Sequence, residues 1–193
     1  MNTIFLKNES DTSKLGSLIA SEIAKIDQES IEIHLEGDLG AGKTFLTKSI
    51  IVNSGWNGHV KSPTYTLCEE YDLGELIFLH IDLYRTKESE DIQIFDLDRK
   101  THLKKIIIIE WPQKLTSKRD FDLKINLEHS DKGRKVTILQ HDKIFLNLVN
   151  NYQDVNQSKI LYELILDKEK NNGMAPDIIN NAKNQFIERQ NQI

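Results

Sequence analysis

Eight consecutive residues, Gly37-Asp38-Leu39-Gly40-Ala41-Gly42-Lys43-Thr44, match the spacing G-x-x-x-x-G-K-[ST] in full. Glycines at these steps let the backbone wrap closely, so that successive N–H groups and the N-terminus of the next helix converge on phosphate oxygens. The lysine of such a loop reaches the β and γ phosphates and the hydroxyl after it coordinates Mg²⁺, which assigns those parts to Lys43 and Thr44. A chance glycine-rich turn is the competing explanation, and average residue usage gives such a match in a chain of this length with a probability on the order of one in a hundred. Context lowers it further. Ile31, Ile33 and Leu35 alternate with Glu32 and His34 as a strand leading into Gly37, and helical spacing returns over residues 43–52. A dinucleotide fingerprint is not supported, because Gly40-Ala41-Gly42-Lys43-Thr44-Phe45 lacks the third glycine and puts a lysine in the turn. The chemistry implied is the binding of ATP with Mg²⁺.

A phosphate loop that turns over its nucleotide also needs carboxylates at the ends of neighbouring strands. Asp82 ends the apolar run Leu76-Ile77-Phe78-Leu79-His80-Ile81, and Glu110 ends Ile106-Ile107-Ile108-Ile109. Each carboxylate therefore emerges at a strand's C-terminal edge, where ligands of α/β sheets gather. A solvated charge at a strand end explains either residue without the loop, and the loop favours function for both. Which of the two touches the metal stays open. His80 receives no role, since a lone histidine in a strand is more often packed than catalytic.

The elements that must position these groups follow from periodicity. Residues 3–6 suit a first strand, and Leu15, Leu18, Ile19, Ile23 and Ile26 fall at helical spacing, with Asp11 or Thr12 as the expected N-cap. Residues 65–71 and 76–81 around the turn Asp72-Leu73-Gly74-Glu75 suit a hairpin. Four β-branched residues in succession at 106–109 suit a central strand buried on both faces. A closing hairpin pairs residues 123–127 with 136–139 through Asp131-Lys132-Gly133. Strand and helix in alternation give an α/β fold of the P-loop kind, a mixed and mainly parallel sheet flanked by helices.

Composition bounds the rest. The chain has 193 residues, 38% of them apolar and 28% charged, which suits one α/β domain with an appendage. It holds no run of about eighteen apolar residues to span a bilayer, and its first ten residues lack the basic and apolar regions of a signal peptide. No membrane association and a cytoplasmic location are expected. The single cysteine, Cys68, agrees with a reducing compartment and reads as a semi-buried thiol in a strand. A formal net charge of -5 argues against strong direct binding of nucleic acid. The domain is placed at residues 1–142. Residues 143–193, rich in Asn, Gln and Lys, form a helical, partly disordered extension in which Ile160, Leu161, Leu164 and Ile165 mark one amphipathic helix and residues 177–189 a second.

Four segments in order, the loop at 37–44, Lys61-Ser62-Pro63-Thr64-Tyr65-Thr66, His80-Ile81-Asp82-Leu83-Tyr84-Arg85 and Glu110-Trp111-Pro112, resemble the signature blocks of the TsaE (YjeE) family, over about residues 3–140. The resemblance implies weak ATP hydrolysis in support of N6-threonylcarbamoyladenosine synthesis on tRNA, with TsaD and TsaB as partners and tRNA reached only through that complex. It also implies that Thr44 and Glu110 hold Mg²⁺, that Asp82 acts near the γ-phosphate or water, that residues 62–66 form a switch-like loop, and that Trp111 lies over the nucleotide. Hydroxyls of that loop, Thr64 among them, could serve phosphate or metal, while a plain Ser-Pro turn explains it equally without the family. Thr12 resembles a family threonine near the adenine but is also explained as a helix cap, and Gly133-Arg134 resembles a glycine-arginine step of the last hairpin. The chain departs from the family after Arg85, where residues 88–94 run on to Asp96-Leu97-Asp98 without the usual Leu-Gly or Ile-Gly step.

Two readings of other classes remain. A small-molecule P-loop kinase would need an acceptor pocket and an arginine-rich lid, and the dense basic stretch Arg99-Lys100-Thr101-His102-Leu103-Lys104-Lys105 is expected to be a solvated face. A non-catalytic scaffold would use ATP only to order residues 62–66 for a partner.

Overall fold

The computed structural model describes residues 2–86, 96–140 and 147–154, with single positions at 145, 156, 184 and 187. The chain divides into two compact units, Met1–Leu146 and Asn147–Ile193. In the second unit residues 148–154 are helical, whereas the apolar stripe at 160–165 and most of 177–189 lie outside the described residues, as does the departure at 88–94.

In the first unit β1 (Asn2–Leu6) is followed by α1 (Glu9–Lys25), β2 (Ser30–Gly37), α2 (Lys43–Asn53), β3 (Cys68–Asp72), β4 (Leu76–Asp82), β5 (Lys104–Glu110), a 3-10 turn (Pro112–Lys114), β6 (Leu123–Ser130) and β7 (Gly133–Gln140). The strands form one seven-stranded sheet in the order β1-β7-β6-β2-β5-β4-β3. The four central strands β6, β2, β5 and β4 are parallel, and the pairs β1–β7, β6–β7 and β3–β4 are antiparallel. This is the mixed α/β sheet that alternation of strand and helix predicts.

The isoleucines 106–109 show why β5 is central. All four are at most 2% exposed, so the run is covered on both faces, and each contributes about 1.5–3 kcal/mol by burial. Alternation along the strands puts Leu79, Ile81, Ile107 and Ile109 on one face, where they cluster with Leu83 and Leu97 against Cys68, Trp111 and Leu115. Phe78, His80, Asp82, Ile106, Ile108 and Glu110 share the other face. Helices α1 and α2 approach closely enough that a β-carbon on Gly16 would sit 2.3 Å from the Ser49 hydroxyl.

Three local expectations are corrected. Helix α1 starts earlier than Asp11 or Thr12, because Asn8 is the N-cap: its side chain accepts from the Asp11 N–H at 3.1 Å, while Asp11 accepts from the Lys7 N–H at 2.9 Å. Strand β3 starts at Cys68 rather than Tyr65, since Pro63 O accepts from Leu67 N at 2.6 Å and closes a turn in which Leu67 takes φ 62°. The basic stretch is not simply a solvated face either. Lys104 donates to Ile23 O and Ile26 O at the end of α1, where a cation complements the helix dipole, Lys105 donates to Leu97 O and Arg99 O, and Arg99 pairs with Glu70 at 2.8 Å.

Cys68 is half-buried at the start of β3, as its sequence setting implies. Among the described residues no helix is long and apolar enough to cross a membrane.

Candidate functional site

Strand β2 ends at Gly37, whose Cα pairs with Leu127 of β6. A β-carbon there would stand 2.2 Å from Leu127 O, and the backbone takes φ 129°, so only glycine lets the chain leave the sheet at this point. The segment between β2 and α2 then turns on itself. Ala41 N donates to Asp38 O at 3.1 Å, and Gly42, with φ 103°, is the N-cap of α2 with no side-chain hydrogen bond capping it among the described residues. Helix α2 thus presents its N-terminal N–H groups beside the loop, an arrangement that favours anions.

Lys43, the first residue of α2, is buried and folds back over the loop, donating to Gly37 O at 2.7 Å and Asp38 O at 2.8 Å. Its ammonium also lies 3.9 Å from the centre of the Trp111 ring. Burial lowers the Lys43 pKa, and the charges of Glu110, Asp82 and Asp38 oppose that shift without cancelling it. The cation is therefore held where it is short of water and surrounded by carboxylates.

The two strand-end acids are register partners, Asp82 on β4 opposite Glu110 on β5, and share one face of the sheet. Thr44 Oγ1 donates to Glu110 Oε2 at 2.9 Å, and Thr64 Oγ1 donates to Asp82 Oδ2 at 3.0 Å. Asp82 Oδ1 accepts from Tyr84 N at 2.9 Å, and the hydroxyls of Ser62 and Thr64 are 2.8 Å apart. One carboxylate is thereby tied to the head of α2 and the other to residues 62–66.

These groups surround an open cavity of about 460 Å³. Of the residues singled out from sequence, Leu39, Gly40, Gly42, Lys43, Thr44, Thr64, Asp82, Glu110 and Trp111 line it. Gly37, Asp38 and Ala41 build the loop behind it. Thr12 and Arg134 do not line the cavity. Thr12 is buried inside α1 with its hydroxyl donating to Asn8 O at 3.3 Å, while Arg134 lies against the back of the loop, where a β-carbon on Gly42 would meet its Nε at 3.1 Å. Trp111 is placed by strain: it takes φ 62°, which costs a residue with a side chain about 1–2 kcal/mol, and this turns the indole from the end of β5 towards Lys43 and Tyr84.

The structure adds residues that carry no role in the sequence reading. Phe45, Tyr84 and Arg85 also line the cavity, and the Arg85 guanidinium sits 4.5 Å from the ring of Tyr65, which is 81% exposed. Tyr84 and Arg85 follow Asp82 within one motif, so proximity in sequence was the available signal. His80 is fully buried, with Nε2 2.8 Å from Glu110 Oε1. A register of β4 against β5 was needed to see that pair.

The donor set suits Mg²⁺: a threonine hydroxyl and carboxylate oxygens are hard ligands, and no group of three His, Cys, Asp or Glu among the described residues could hold a metal alone. Such a site needs phosphate and water oxygens to complete it, as is usual for Mg²⁺. Thr44 and Glu110, with Asp82 beside them, are the residues that would hold it.

Comparison with known proteins follows the same residues. The family model described as "Threonylcarbamoyl adenosine biosynthesis protein TsaE" matches residues 6–136. A protein of Haemophilus influenzae named tRNA threonylcarbamoyladenosine biosynthesis protein TsaE is 30% identical over 154 residues, covering 79% of this chain and 98% of its own. Its namesake in Rickettsia felis is 35% identical over 136 residues, covering 69% and 76%. The crystal structure of YdiB from Bacillus subtilis superposes with a TM-score of 0.56 at 24% identity, covering 80% of this chain and 95% of that one, a likeness of fold. With the phosphate-loop spacing, the paired strand-end acids and the family match running together through β1 to β7, the chain belongs to the TsaE family.

Proposed function

We propose that the chain binds Mg-ATP in the cavity between the loop at 37–44 and the ends of β4 and β5, hydrolyses it slowly, and so supports synthesis of N6-threonylcarbamoyladenosine on tRNA. The observation that carries this reading is the contact of Thr44 with Glu110 beside Asp82. It sets a hydroxyl and two carboxylates at the head of a helix whose amides face a glycine turn.

In this reading the backbone N–H groups of the loop and the head of α2 bind the β-phosphate region, and Lys43 exchanges its bonds to Gly37 O and Asp38 O for phosphate oxygens. Mg²⁺, once bound, would supply positive charge at a position where negative charge develops on the phosphates. Thr44 and Glu110 hold that position, and Asp82, tied to Thr64, orients a water or the γ-phosphate. Trp111 covers Lys43 and limits access of bulk water to it. The partners are TsaD and TsaB, with tRNA reached through their complex, in the cytoplasm. TsaD transfers the threonylcarbamoyl group, and this chain sustains or resets the complex.

Phosphate release from Mg-ATP, measured for the protein alone and with purified TsaB and TsaD, tests this reading. Slow release that the pair accelerates is expected. Release unaffected by the pair, or transfer of phosphate to a small-molecule acceptor, would overturn it. The bond between Thr64 and Asp82 also favours a second reading, in which ATP binding alone orders residues 62–66 for a partner. Under it, an Asp82→Asn protein that no longer hydrolyses ATP still binds the pair in an ATP-dependent manner.

A further inference from the structure

His80 is a buried titratable side chain for which the phosphate chemistry above has no direct use. It lies on β4 two residues before Asp82, on the face shared with Glu110. Its side chain is 0% exposed and that of Glu110 2% exposed, with Nε2 to Oε1 at 2.8 Å. The other oxygen of Glu110, Oε2, accepts from Thr44. The two oxygens of one carboxylate are therefore divided, one turned into the sheet and one turned to the head of α2.

The neighbouring atoms assign the tautomer. Nδ1 of His80 has no hydrogen-bond partner among the described residues. A proton on Nδ1 would leave a buried donor unmade and point the Nε2 lone pair at a carboxylate oxygen. With the proton on Nε2, the ring donates to Oε1 and the orphan is only a lone pair. The terminal torsion of a glutamate is broad, so one bond from a half-buried threonine would leave the carboxylate free to rock. The imidazole, locked on a central strand, removes that freedom.

We propose that His80 is a positioning residue, which holds Glu110 Oε1 inside the protein so that Oε2 stays directed at Thr44 and the Mg²⁺ position. This rests on the reading of Glu110 as a metal-facing carboxylate. Partners that orient a ligand from behind are worth about 10–100-fold in metal affinity when removed. His80 acts on the metal through Glu110 and touches neither phosphate nor water.

The test compares His80→Leu, which removes the donor, with His80→Gln, whose amide N–H stands at nearly the reach of Nε2. Binding of a fluorescent ATP analogue is followed as Mg²⁺ is raised, and again in EDTA, for proteins shown to be folded by circular dichroism. His80→Leu should raise the Mg²⁺ concentration at half-saturation about 10–100-fold, with affinity in EDTA changed by less than about twofold and His80→Gln close to wild type. Should His80→Leu not fold, His80→Asn takes its place, because its shorter amide cannot reach Oε1. A wild type that needs Mg²⁺ beside a donor-deleted variant that needs no more of it overturns the role of His80 alone. Equal losses in Mg²⁺ and in EDTA overturn it too, since a purely structural residue would produce them. A wild type whose ATP affinity ignores Mg²⁺ overturns the metal reading itself.

Discussion

Gly37→Ala places a methyl group where β2 hands the chain to the loop at 37–44, and its cost can be worked out from the geometry. The new β-carbon would stand 2.2 Å from Leu127 O and 3.1 Å from Leu127 C, both backbone atoms of a central strand that cannot swing aside as a side chain would. Relief requires β6 to withdraw by roughly 1 Å or more to reach an ordinary contact, or Gly37 to abandon φ 129°. Backbone strain of about 1–3 kcal/mol and overpacking of about 1–3 kcal/mol together predict a loss centred on about 4 kcal/mol. In a chain of this size that lowers the melting temperature by about 10 °C. Gly74→Ala is the control, because Gly74 has φ 88° but nothing within 4 Å of an added β-carbon. It should lose only about 1–2 kcal/mol. Urea unfolding followed by circular dichroism, with nucleotide absent, measures both. If the two variants fall within about 1 kcal/mol of each other, close approach to Leu127 does not set the cost and the reasoning is wrong. Mg-ATP affinity should fall in Gly37→Ala and stay near wild type in Gly74→Ala.

Trp111 should report nucleotide, because its indole lies on the Lys43 ammonium; in a Trp56→Phe background its emission should shift on adding Mg-ATP, and an unchanged spectrum at saturation would count against its place in the site. Arg119 clamps Glu32 at 2.8 Å and Asp98 at 3.0 Å, so Arg119→Leu should cost about 2–3 kcal/mol near neutral pH. The Glu32 carboxyl is pushed up by burial but pulled further down by hydrogen bonds from His34 and Arg119 and by the Arg119 charge, and it ends below its ordinary 4.5. Its stabilisation is thus present above the unfolded value and lost as pH falls through the lower folded one, and acid unfolding of Arg119→Leu should show a shallower loss in that window. Burial, with a smaller contribution from the charge of Glu70, pushes the Cys68 thiol up to about 12; iodoacetamide at pH 8.5 should modify the native protein at least about tenfold more slowly than the urea-unfolded chain, and equal rates would show that the thiol is not held protonated.

The loop, the two strand-end acids and most of the strands were legible because each is local in sequence. A glycine motif after alternating residues 31–35 and carboxylates closing the apolar runs of β4 and β5 carry their own context. Where local signals competed, sequence was ambiguous: Asn8, Asp11 and Thr12 can each cap a helix, and the bond from Asp11 N–H to Asn8 Oδ1 decides between them. The long-range pairs were not legible. His80 meets Glu110 across 30 positions and Arg119 meets Glu32 across 87, and both depend on the strand order β2-β5-β4 and on a loop crossing the sheet. Lys104 and Lys105 read as solvent-facing charge because nothing local reveals that carbonyls at the end of α1 and at Leu97 receive their ammonium groups.

Calorimetric titration of Mg-ATP into the wild-type protein and into Lys43→Ala tests the phosphate-loop assignment most directly. Removing an ammonium that is buried, held to the loop by Gly37 O and Asp38 O and faced by three carboxylates should leave the fold intact by circular dichroism and weaken binding at least about 100-fold. A folded Lys43→Ala protein that binds Mg-ATP as tightly as the wild type would contradict it.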